Sequence, residues 1–174
     1  MSLTALVIWI ATASAGLYLL SIWLIEYDKD FQSVAATRLP PSVLAVHVLL
    51  AGGGLLVWIA YIISDQDRLA WTALAAVVLA AMLGTTMAVR WVSVYRATQD
   101  AKRDLASQAG APLSAVAGGD PRRVRQADPR LGTTLEYAQN LGPPERNFPL
   151  PVVIAHGAFA VATITLVLLT ALSG

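Results

Sequence analysis

Two side chains stand out as able to ligate a metal from inside apolar sequence: His47 and His156, the only histidines among 174 residues. Each lies seven residues after a proline, Pro40 before His47 and Pro149 before His156, and no Asp, Glu, Lys or Arg accompanies either in its apolar run. An ionisable group inside a membrane span is costly, and so is functional by default. Imidazole suits iron, copper and zinc. A two-histidine zinc or copper site would lack a third ligand, because no carboxylate, cysteine or further histidine lies nearby. The absence of cysteine also excludes disulfides, iron–sulfur clusters and covalent haem attachment. Two imidazoles at one depth, on facing helices that run in the same direction, meet the requirement of a bis-histidine haem b; the alternatives are structural histidines that each hydrogen-bond a neighbouring helix carbonyl, and metal or quinone contacts without haem.

The elements that must carry these residues are legible from charge. Leu3–Ile25, Pro40–Ile63, Leu69–Val89 and Pro149–Gly174 hold no charged residue, in a chain that is 56% hydrophobic and 13% charged. Crossing the hydrocarbon core takes about 20 apolar residues at 1.5 Å each. Backbone groups in lipid must be satisfied within the segment, which selects helices. The expected fold is all-α: one integral membrane domain over 1–174, a four-helix bundle with helices at about 3–25, 40–63, 69–94 and 149–173. The first span has no basic n-region and is too long for a signal core, so it is expected to remain as a helix.

Basic residues orient the bundle. Lys29 and Arg38 lie between helices 1 and 2, nine more run from Arg90 to Arg146, and only Arg68 lies between helices 2 and 3. Eleven of twelve thus share one side, which the positive-inside rule makes cytoplasmic. Both termini are then expected outside, with a long cytoplasmic loop over 97–148. Its first residues, 97–108, are able to extend helix 3, and Gly110, Pro112, Gly118, Gly119 and later Asp-Pro and Pro-Pro pairs break the rest into turns. Arg122, Arg123 and Arg125 would suit a cytoplasmic partner or anionic lipid. Trp9, Trp58, Tyr61 and Trp71 are expected at the outer interface, and Trp23, Tyr27, Trp91 and Tyr95 at the inner one.

The chain repeats itself. Gly16, Trp23 and Tyr27 recur as Gly84, Trp91 and Tyr95, all offset by 68 residues, and the Pro-to-His spacing of helix 2 recurs in helix 4. Two tandem helical hairpins of the same topology are related by an axis along the membrane normal. His47 and His156 then approach that axis from opposite sides, about 10 Å in from the cytoplasmic interface. Residues four and seven further on share each histidine's helix face: Ala51 and Gly54 on helix 2, Ala160 and Thr163 on helix 4. Their small side chains leave room for a macrocycle. Trp23 and Trp91 are candidates to pack on its edge, and Arg38, Arg90 and Arg146 to pair with its propionates.

In architecture, with His47 and His156 as the carrying residues, the chain resembles the small haem b membrane anchors of succinate dehydrogenase and fumarate reductase, and the cytochrome b561-like four-helix bundles. That resemblance implies histidines on different helices ligating one iron from opposite sides. A b561-type core holds two haems and needs four histidines, so this chain has room for one. The function expected is a membrane subunit of a respiratory or other redox complex, passing electrons to or from quinone or a partner protein in a bacterial inner membrane. A haem-free accessory or assembly subunit is the alternative, and a small transporter a third, disfavoured by the lack of intramembrane carboxylates. No nucleophile–base pair or phosphate loop is present, so the chain is not expected to be an enzyme alone. Its expected partners are lipid and other membrane or cytoplasmic-side subunits, not nucleic acid.

Overall fold

The computed structural model describes residues 1–30, 39–115 and 144–173. Four helices account for nearly all of them: α1 (Ser2–Asp30), α2 (Pro41–Ser64), α3 (Asp67–Ala115) and α4 (Leu150–Ser173), with a short 3₁₀ helix, Pro144–Asn147, before α4. All four are long and apolar enough to cross a membrane. The protein is an all-α, multi-pass design.

Prolines start two of these helices. Pro40 is the extended N-cap of α2 and Pro41 occupies its first turn, where a missing N–H costs nothing. At α4 the Pro149 carbonyl accepts from the amides of Val152 and Val153. The α2–α3 connection is tight. Asp65 caps α2 in the left-handed region (φ 52°), its amide donating to the Tyr61 carbonyl at 2.8 Å. Asp tolerates that conformation better than most side chains. The short turn leaves α2 packed along α3.

Helix 3 is longer than its apolar run predicts. It continues past residue 97 to Ala115, through Gly110 and Pro112, so the first third of the expected 97–148 loop is helical. Residues 144–147 of that loop form the 3₁₀ helix, which packs on α1 and α3 with Pro144 and Glu145 buried. The expected turns between these elements lie outside the described residues, as do Arg122, Arg123 and Arg125.

The closest packing pairs are α2 with α3 and α1 with α4; α1–α2 and α3–α4 touch less. If the repeats equate α1 with α3 and α2 with α4, the tightest contacts lie between repeats. Most of the aromatic residues expected at the interfaces are packed inside the bundle rather than turned outward. Trp9, Trp58 and Tyr61 are buried at one end, and Trp23 and Trp91 toward the other. Only Trp71 of the expected outer set faces outward. The reason is volume. Ala5, Ala70, Ala73 and Ala171 line the same cluster as Trp9 and Trp58, and a Cβ on Gly54 would meet the Trp9 ring at 3.1 Å. Lipid supplies no hydrophobic drive between helices, so association rests on close van der Waals fit. Here large rings supply it by filling space that alanines and a glycine leave.

Candidate functional site

The two prolines start α2 and α4 in the same register, so His47 and His156 fall on the second turn of each. The bundle brings them together. Their ring centroids are 6.3 Å apart, with an angle of 66° between the ring planes. Both side chains are partly buried.

Each ring is held by the helix packed closest to its own. His47 Nδ1 lies 2.8 Å from the Ala80 carbonyl on α3, and His156 Nδ1 lies 2.9 Å from the Thr12 carbonyl on α1. A carbonyl only accepts, so in both contacts Nδ1 carries the proton and donates. Each contact fixes the orientation of its ring, with Nδ1 turned to the neighbouring helix and Nε2 away from that carbonyl. The two anchored rings meet edge to face, 6.3 Å apart between centroids, which places two imidazoles of different helices within reach of one shared group.

Glycines set the approach. A Cβ on Gly16 would sit 2.9 Å from His156 Cε1, and one on Gly84 would sit 3.1 Å from His47 Cε1. These glycines lie one turn beyond the anchoring carbonyls of Thr12 and Ala80. The whole arrangement repeats at the 68-residue offset: carbonyl at 12 or 80, bare Cα at 16 or 84. Donation of the second ring nitrogen to a backbone carbonyl is how metal-ligating histidines are commonly oriented.

The lining is less symmetric. Near His156 the hydroxyls of Thr12 and Thr163 lie 3.2 Å apart in the interior, and each also lies 2.8 Å from a carbonyl of its own helix, Ile8 for Thr12 and Phe159 for Thr163; with one proton apiece, one hydroxyl donates to the other only by giving up its own carbonyl. On the α2 side the residue seven beyond His47 is Gly54, and the space is filled by Trp9 and Ala76. Ala51 and Ala160 are partly buried one turn from the histidines.

The remaining sequence-predicted residues divide. Trp91 is buried and donates from Nε1 to the Glu145 carbonyl at 3.1 Å, which ties α3 to the 3₁₀ helix. Its ring lies 5.2 Å from that of Tyr95. Trp23 is buried too, and both Trp residues lie seven positions, about 10 Å along the helix, beyond the site glycines. Arg90 is exposed and Arg146 half-buried, while Arg38 lies outside the described residues. Residue reading missed the carbonyl anchors of Thr12 and Ala80 and the role of Gly16 and Gly84. The signal was present: both glycines head the repeated pattern, and the anchors lie four residues before them.

Among the described residues no group of three or more His, Cys, Asp or Glu gathers that would hold a bare metal ion. Tetrahedral zinc is therefore a poor match for this donor set. No protein-family model, curated protein or solved structure matches the chain.

Proposed function

We propose that this chain is a membrane cytochrome subunit that holds one haem b between His47 and His156 and carries electrons within a larger redox complex. The observation that carries the proposal is the paired anchoring of the two rings: each Nδ1 is tied to a carbonyl of a neighbouring helix, and the ring centroids lie 6.3 Å apart. The spacing fits the group. An imidazole–metal bond of about 2.0–2.1 Å, taken from zinc, and about 1.1 Å from nitrogen to ring centre put two axial imidazoles about 6–6.5 Å apart.

A haem b saturated by two imidazoles supplies one-electron transfer rather than oxygen binding. The chain's own residues do the rest. His47 and His156 would hold the group when it is bound. The Thr12 and Ala80 carbonyls hold the ring orientation and make Nε2 a stronger donor to iron. Gly16 and Gly84 let the rings lie against α1 and α3. Ala51 and Ala160 leave space beside the ligands, Trp23 and Trp91 close the bundle on the side of the basic residues, and Arg90 and Arg146 lie on that side to meet propionates. With eleven of the twelve Lys and Arg on this side, this end is the cytoplasmic one and both termini lie on the opposite side; the membrane we propose is a bacterial inner membrane. The electron partner is then a quinone or a protein at that face.

Haem and iron content decide the proposal. One haem b per chain is expected from protein produced with adequate haem. A haem-free, iron-free preparation under those conditions overturns it.

A second reading is supported by the same two hydrogen bonds. They join α2 to α3 and α4 to α1, the tightest pairs, so both histidines suit a haem-free accessory subunit as interhelical ties. Asn retains a donor for the carbonyl but is no haem ligand. If His47→Asn and His156→Asn together leave assembly with partner subunits intact and no haem is found in the parent, the accessory reading stands.

A further inference from the structure

A second site lies on α3 beyond the apolar span, and it does not depend on the haem reading. Among the described residues, Tyr95, Arg96, Gln99, Asp100 and Arg103 line a cleft of about 420 Å³. They recur at one, four, five and eight residues from Tyr95, and so share a side of one helix. Arg96 is exposed and no described residue pairs with it. Arg103 meets Asp100 at 3.5 Å, a long contact with both side chains largely exposed, which contributes little and yields easily to a better anion.

What lies below the cleft identifies the ligand. Met82 and Val89 are two of the most outward-facing apolar residues of α3, and Arg96 and Arg103 follow them at successive intervals of seven. Positions seven apart stay on one face, with a drift of about 20° each time. One stripe of helix surface is therefore apolar for two steps and cationic for the next two. Its height matches a bilayer. From Trp71, exposed near the start of α3, Arg96 is 25 residues away, about 37 Å. A hydrocarbon core of about 30 Å, and about 40–45 Å with headgroups, puts Arg96 among the phosphates of the opposite leaflet.

We propose that this stripe binds an anionic phospholipid, its acyl chain along Met82 and Val89 and its phosphate in the Tyr95–Arg103 cleft. Arg96 supplies a planar fork suited to phosphate. Gln99 and Tyr95 add neutral donors, and Arg103 a second cation further out. The carboxylate of Asp100 opposes accumulation of further negative charge, which favours a phosphodiester headgroup such as phosphatidylglycerol over a polyphosphate. A soluble acidic partner would not need the apolar half of the stripe.

The test is competitive lipid retention by the purified full-length protein, read by native mass spectrometry in mixed phosphatidylglycerol and phosphatidylcholine. The wild type is expected to retain phosphatidylglycerol over phosphatidylcholine by about tenfold, falling to near parity in Arg96→Gln/Arg103→Gln. Met82→Ser/Val89→Ser is expected to lower retention of both lipids at unchanged helix content. Parity in the wild type, or an unaltered preference in the double arginine variant, overturns the proposal. So does displacement of the lipid by millimolar inorganic phosphate alone, which would mark a free-anion site.

Discussion

The two halves of the histidine site share a backbone and differ in their linings. In both, a carbonyl of the neighbouring helix orients Nδ1, and a glycine one turn further on admits the ring: Thr12 and Gly16 for His156, Ala80 and Gly84 for His47. Around His156 the interior is polar, with the Thr12–Thr163 hydroxyl contact at 3.2 Å. Below His47 it is apolar, with Gly54 covered by Trp9 and Ala76. The shared features are those that position nitrogen atoms, and each demands something of the backbone. The features that differ only fill space.

The equivalence breaks most completely if one histidine is dispensable. Either His47→Ala or His156→Ala is expected to abolish six-coordinate ligation entirely, seen as loss of the low-spin spectrum; retention in one variant would make the halves unequal in function. Next in size are the glycines. A Cβ at Gly16 meets His156 at 2.9 Å and one at Gly84 meets His47 at 3.1 Å, so Gly16→Ala should be the more disruptive. Overpacking of this kind costs about 1–3 kcal/mol, roughly five- to 150-fold in haem retention. Equal tolerance of both substitutions, measured by haem loss to apomyoglobin, would remove the distinction.

The polar lining predicts a smaller, one-sided effect. Thr163→Val breaks the hydroxyl contact while leaving the Thr12 carbonyl on His156. A double-mutant cycle with Thr12→Val, read by unfolding in mixed micelles, should give a coupling of about 0.6 kcal/mol, the typical size for such bonds in membranes. The smallest change is expected at Gly52, where a Cβ meets nothing within 4 Å. Gly52→Ala should be neutral, or stabilising by up to about 1 kcal/mol, in the same unfolding measurement. Its contrast with Gly16→Ala separates glycine needed for contact from glycine that is merely tolerated.

Much of this was legible in the chain. Uncharged runs and paired prolines marked the helices and the register of His47 and His156, because membrane insertion is read from composition and proline from its missing N–H. The continuation of α3 to Ala115 was not legible, since Gly110 and Pro112 argue locally for a stop. Nor was the burial of Trp9, Trp58 and Tyr61, because an interfacial and an interior tryptophan look alike until the alanines opposite are known. The carbonyl anchors have no side-chain signature at all. Ala80 in particular contributes only its backbone, and only its register with Thr12 in the repeat points to it.

The account stands on His47 and His156 sharing one iron, and a reduced-minus-oxidised visible spectrum of the purified protein tests that most directly. A sharp low-spin b-type α-band, present in the parent and absent from both His47→Ala and His156→Ala, is the predicted result. A featureless spectrum from haem-replete cells, or a band that survives loss of either histidine, would contradict it.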